Sequence, residues 1–140
     1  MAMLANLTIT TAVTAQVTAA LQARDSNPES VVLQANFTYG SGGTTATAWV
    51  QTSFDEGQTW VDIANFAFTT SSARATYNLS ALTPVTTQYT PTDGTLASNT
   101  AKDGQVGNLF RVKYSSTGTY AGNTTLRIDA IVRGRLTSLT

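Results

Sequence analysis

Two short runs limit the fold of this chain more than any other feature. In VVLQANFTY, residues 31–39, Val31, Leu33, Ala35, Phe37 and Tyr39 fall on one side of a strand, and Gln34, Asn36 and Thr38 fall on the other. In TTLRIDAIVRG, residues 124–134, Leu126, Ile128, Ala130 and Val132 alternate with Arg127, Asp129 and Arg133. A period of two buries one face only, so each strand needs a second layer above its apolar side. TTATAWVQTS (44–53), WVDIANFAF (60–68), ARATYNL (73–79) and NLFRVKYSS (108–116) extend the pattern, with Phe110, Val112 and Tyr114 pointing inward in the last. Charged residues are only 11% of the 140, and Thr and Ser take their place. Thr is β-branched and suits a half-buried pleated surface. Seven or eight short strands joined by polar turns predict an all-β protein, an antiparallel β-sandwich of jelly-roll-like type.

Between these runs the sequence is less regular. Residues 1–20 read as an N-terminal arm or first strand, although Val13, Val17 and Leu21 also fall at helical spacing. Residues 21–140 are then a single β-sandwich domain, a length that suits one core. RDSNPES (24–30) is a turn cluster and GSGG (40–43) a flexible connection. Residues 83–107 lose the apolar period and carry two prolines and the Asp-Gly pairs at 93–94 and 103–104. They read as one long polar loop with a short strand near residues 85–89.

The turn between the third and fourth of these runs is SFDEGQTW, residues 53–60. Ser53, Asp55, Gly57, Thr59 and Trp60 give S-x-D-x-G-x-T-W, which resembles the Asp-box, an element repeated on the propellers of sialidases and related glycosidases. In those enzymes the boxes lie away from the catalytic face, so the resemblance implies a structural turn. The physics agrees. Asp accepts hydrogen bonds from backbone N–H groups a few residues on, Gly supplies a positive φ, and Trp covers the base of the hairpin. One box on 140 residues is also far too little chain for a propeller.

Catalysis has little to work with. There is no His and no Cys, which removes the usual general base, the usual zinc ligands and any disulfide. Glycoside hydrolysis needs two carboxyl groups facing across a cleft. The acids are Asp25, Glu29, Asp55, Glu56, Asp62, Asp93, Asp103 and Asp129. Asp55 is taken by the turn, Glu56 sits at its tip, and Asp62 and Asp129 read as solvated strand positions. Asp93 and Asp103 lack the spacing of a calcium loop and read as ordinary turns. Trp49, Tyr39, Tyr89 and Tyr120 are candidates for a sugar-stacking platform, with core packing as the alternative. The expectation is a protein that is not an enzyme and has no metal and no cofactor. Eight basic and eight acidic side chains cancel, so no basic patch marks a nucleic-acid partner. The N-terminal segment is too interrupted by Thr to span a membrane or serve as a signal peptide.

WVQTSFDEGQTWVDIANFAF, and the segment TPTDGTLASNT through R-V-K-Y and G-T-Y to IDAIV, resemble small β-sandwich structural proteins of tailed bacteriophages. The resemblance covers about two-thirds of the chain, roughly residues 48–132. It implies a capsid decoration or cement protein, made in the host cytoplasm and bound to the exterior of the virion. The major capsid protein would be its partner, and a homo-oligomer, dimer or trimer, would be its form. Residues 1–20 and 83–107 would reach across capsid joints and order on assembly, so that deleting residues 1–12 would weaken attachment and spare the fold. The alternatives are a receptor- or glycan-binding module of a tail fibre, or a head–tail completion or tail protein. A fibre module usually follows a stalk, and a head–tail ring facing DNA would favour basic charge.

Overall fold

The computed structural model describes residues 2–23 and 26–136. Eleven strands run in the order β1 (Ala2–Thr8), β2 (Val13–Val17), β3 (Leu21–Gln22), β4 (Ser26–Thr38), β5 (Ser41–Gly42), β6 (Thr45–Ser53), β7 (Val61–Phe68), β8 (Ala73–Ser80), β9 (Leu109–Thr117), β10 (Tyr120–Ala121) and β11 (Thr125–Leu136). One sheet has the order β1-β11-β4-β8 and the other β2-β9-β6-β7, with β3 also beside β9. Every pairing is antiparallel. Among the long strands, the chain crosses between the sheets at each step except the β6–β7 hairpin. That winding is a jelly roll, as the alternation predicts. The small β5–β10 ribbon closes one end.

The core is built from the faces the alternation marked. Val31, Leu33, Ala35 and Phe37 of β4 and Leu126, Ile128 and Ala130 of β11 come from one sheet. Ala46, Ala48 and Val50 of β6, Phe110 and Val112 of β9, and Ala64, Phe66 and Phe68 of β7 come from the other. Phe37 stacks on Phe68 across the layers, ring centroids 4.9 Å apart. Each fully buried Val, Leu, Ile or Phe contributes about 1.5–3 kcal/mol.

The N-terminal segment is strand rather than arm or helix. β1 pairs with β11 along its length and buries Leu4 and Ala5, while Ile9 just beyond it is buried and donates its N–H to Thr124 O. β2 then crosses to the other sheet with Ala15 at φ +50°, so Val13 and Val17 never share a helix face. Removing residues 1–12 would strip buried core from the sandwich, which rules out the fold-sparing deletion. The turn expected at 24–30 also gives way in part, because Ser26–Ser30 extend β4 against the end of β11. Pro28 is tolerated there because it lies opposite Gly134, beside the bulge at Arg133/Gly134. GSGG includes the short strand β5, and Gly43, at φ +68°, leaves room for the ring of Tyr120.

Residues 83–107 contain no strand, including at 85–89, but the loop is tied down. Asp62 N donates to Thr92 O, Asn65 N to Thr100 O, and Lys102 N to Ile63 O, each at 2.8 Å. Asn99 Oδ1 accepts from Ala67 N, and Ala64 bridges Ala101. The loop therefore covers the free edge of β7, a strand buried on both faces. Its order comes from contacts within the chain, so it needs no assembly step to fold.

Candidate functional site

The five motif residues at 53–60 meet in one turn. Ser53 Oγ accepts from Gly57 N at 2.8 Å and donates to Asp55 Oδ1 at 2.9 Å. Asp55 accepts from Thr59 N at 2.8 Å and from Thr59 Oγ1 at 2.6 Å. The Thr59 hydroxyl and then its backbone N–H hold the Asp55 carboxyl below its ordinary value, against a smaller opposing effect of desolvation. Glu56 and Gly57 both have positive φ, +61° and +86°, which reverses the chain at the tip. Trp60 lies beside Gly57 and carries the Arg111 guanidinium 4.3 Å over its ring.

Arg111 links this turn to a second polar cluster on the outer face of the same sheet. Its Nε donates to Gln51 Oε1 at 2.8 Å. Gln51 is wholly buried, and its Nε2 donates to Asp62 Oδ1 at 2.8 Å and to Asp93 Oδ1 at 2.6 Å. Lys113 Nζ also reaches Asp93, at 2.6 Å. Partial burial pushes the Asp93 carboxyl up. Hydrogen bonds from Lys113 and Gln51 and the charges of Lys113 and Arg111 outweigh it, so Asp93 sits below its ordinary value.

Asp62 is the centre of the cluster. It is 3% exposed, so its reading as a solvated strand position is corrected. A bulge opposite Gln51 sets Asp62 across from that side chain on the outer face, and the loop then lies over it. The carboxylate accepts from Thr92 Oγ1 and from the successive backbone N–H groups of Gly94, Thr95 and Leu96, at 2.8–3.1 Å. Asn65 does the same work one turn of the loop later, accepting from Asn99 N and donating to Leu96 O, both at 3.0 Å. Trp49 Nε1 shares Leu96 O. Among the described residues no buried side-chain nitrogen or oxygen lacks a hydrogen-bond partner. The chemistry of this cluster is thus spent on holding the loop to the sheet.

The other acids are scattered. Asp103 accepts from Ser80 N at 2.7 Å, from Gly104 N and from Thr83 Oγ1, and the Ser80 bond leads in holding its carboxyl low. Asp129 pairs with Arg127 at 2.9 Å. Asp25 lies outside the described residues. Among the described residues no group of three acidic side chains forms a metal cage. The aromatic candidates are not brought into one platform. Tyr120 is buried in the core against Phe37 and Tyr39, Trp49 lies at the loop, and Tyr89 stacks under Lys102.

A different surface stands out. Among the described residues, the exposed apolar side chains Phe54, Leu82 and Leu21 lie towards the end of the sandwich that carries the 53–60 turn. Phe54 is 56% exposed at the turn, Leu82 70% exposed just past β8, and Leu21 pairs with Phe110 near the start of β9. Met3, Val32 and Ile131 lie together on the outer face of the β1-β11-β4-β8 sheet, Val32 directly opposite Ile131. A groove of about 330 Å³ runs between Asn27, Pro28, Phe54 and Asn108. The opposite end consists of Thr, Ser and Gly turns at 10–12, 40–44 and 69–72. Sequence reading singled out none of this, because these residues belong to different strands and loops and only the fold sets them at one end or on one face. No protein-family model matches this chain, and neither the curated proteins nor the solved structures yielded a match.

Proposed function

We propose that the chain is a virion structural protein, a capsid decoration protein that binds the outside of a major capsid shell and stabilises it. One observation carries the reading: Phe54 and Leu82 stand exposed at one end of a sandwich in which, among the described residues, no buried side-chain nitrogen or oxygen lacks a hydrogen-bond partner. Such an end suits docking onto another protein surface. The tied-down loop and the jelly-roll core supply the stiffness a cement protein needs. The resemblance of residues 48–132 to small phage β-sandwich proteins supports the same reading.

The test uses shells of the parent virus lacking this protein. Saturable binding at a fixed ratio to the major capsid protein, with a higher rupture temperature, is expected. Phe54→Asp with Leu82→Asp should lower occupancy at least about tenfold, since each removes an apolar side chain worth about 1.5–3 kcal/mol on full burial. Absence of saturable binding by the wild type refutes the proposal. The groove beside Phe54 favours a second reading, a glycan-binding module of a tail fibre, in which the ring stacks on a sugar. Binding to a glycan panel that is lost in Phe54→Ala, without shell binding, would select it.

A further inference from the structure

Three of the four edges of the sandwich are blocked. The β7 edge is covered by the loop. β1 is bent by a bulge between Met3 and Ala5. β2 has a register break between Val13 and Gln16 and gives way to β3 after residues 18–20. β8 is different. It pairs with β4 over Ala73–Ser80 with no register shift, and it contains no Pro and no Lys. Proteins usually protect such edges, because a regular unpaired strand templates another.

The direction of its free groups follows from two hydrogen bonds. Ala81 N donates to Glu29 O, towards β4, at 2.7 Å. Ser80 N donates to Asp103 Oδ1, away from β4. Successive residues of a strand turn their backbone groups to alternate sides. The N–H and C=O groups of Arg74, Thr76 and Asn78 therefore face outward, and Asp103 caps the row at Ser80. Among the described residues no backbone hydrogen bond covers those three positions.

We infer that this edge pairs with the same edge of a second copy, antiparallel and centred on Thr76, to give a twofold dimer with one continuous eight-stranded sheet. The register uses the free groups of Arg74, Thr76 and Asn78: Thr76 meets Thr76 and Arg74 meets Asn78, for about six new N–H···O bonds. Ser80 stays outside the ladder because its N–H is already taken. On the inner face the small Ala75 meets the larger Tyr77. Arg74 is the one charged residue of β8. In this register the two copies of it stand roughly 13 Å apart, beyond the ~8 Å screening length at physiological salt. A chain with zero formal net charge adds little repulsion of its own. Since the other edges are blocked, pairing stops at two copies and does not run on into a fibre. The inference stands apart from the capsid reading and selects the dimer over the trimer.

Sedimentation velocity across a concentration series tests it, with wild type, Thr76→Pro and Thr76→Cys. Pro at 76 removes an N–H that points out of the sheet, so the β4 ladder is left intact. A wild-type dimer whose dissociation constant rises roughly 10- to 100-fold in Thr76→Pro, with unchanged circular dichroism, is expected. The chain has no native cysteine, so Thr76→Cys gives one unambiguous thiol at the axis. There the ~5.5 Å Cα separation of a hydrogen-bonded pair suits a disulfide. It should cross-link at dilutions where Thr87→Cys, on the exposed loop, does not. If Thr76→Pro fails to fold, the cross-linking result decides. A wild type that is monomeric throughout the series overturns the inference. So does a dimer that persists in well-folded Thr76→Pro, or cross-linking no faster at 76 than at 87. A monomeric wild type whose shell attachment is nonetheless lost in Thr76→Pro would assign the edge to a strand of another protein.

Discussion

Replacing Asp62 by Asn keeps the size of the side chain and removes its charge at the point where the long loop is held. The best orientation of the amide puts its oxygen at the Oδ2 position, where Thr92 Oγ1 and the N–H groups of Gly94, Thr95 and Leu96 converge. Its nitrogen then faces Gln51 Nε2, a donor against a donor. An unsatisfied buried donor costs about 1–3 kcal/mol, and each surviving bond to a neutral oxygen is about 1 kcal/mol weaker than one to a carboxylate. With partial relaxation, a loss of about 3–5 kcal/mol follows. For a domain of this length that lowers Tm by roughly 10–17 °C. The loop should loosen at residues 94–96 before the sandwich opens, because the backbone N–H groups there lose the carboxylate while the ties at residues 99–102 remain. Thermal unfolding by circular dichroism gives the total. Hydrogen exchange gives the location: the amides of Gly94, Thr95 and Leu96 should exchange about 100-fold faster, while those of β4 and β11 change no more than global stability requires. A Tm within about 2 °C of wild type with unchanged exchange at residues 94–96 would refute the assignment of Asp62 as the lock.

Acid should destabilise the protein in a defined window. Asp55, Asp93 and Asp103 all have carboxyls held below their unfolded value of 3.8. The unfolded chain thus binds protons first, so the stability they give is complete above that value and is lost as pH falls through the lower folded values. Tm should be flat from neutral pH to about 5 and fall below it, and Asp93→Asn with Asp103→Asn should flatten the fall; an unchanged acid limb would contradict this. Leu4→Ala should cost about 2–4 kcal/mol in denaturant unfolding, because β1 is core and not arm; a cost under about 0.5 kcal/mol would restore the arm. Gly107→Ala should destabilise strongly, since its added Cβ would come 2.3 Å from Ser53 O, where backbone cannot yield; a Tm equal to wild type would show that it can.

The strands that carry the core were legible because burial on one face leaves a period of two. Val31 to Phe37 and Leu126 to Ala130 need no tertiary information to be read, and they proved to be neighbouring strands of one sheet. The N-terminal segment was harder, since β1 carries its bulge where Leu4 and Ala5 are both buried, which breaks the period. Residues 83–107 were legible as a loop but not as a fixed one. Their order depends on side chains elsewhere, and VDIANFAF holds the only local sign. Asp62 and Asn65 interrupt an otherwise apolar run, and polar groups in a strand buried on both faces require partners. Asp62 and Asn65 therefore imply a cover over β7 rich in free backbone N–H groups, and a loop with Asp-Gly turns is such a cover. The same inference works in reverse for β8. ARATYNLS has alternating exposure and no buried polar group calling for a cover, and it is the edge left open. Here β7, which buries Asp62 and Asn65, is the edge the loop closes, and β8, which buries no polar side chain, is the edge left open. In this chain that contrast separates the strand held by its own loop from the strand available to a second copy.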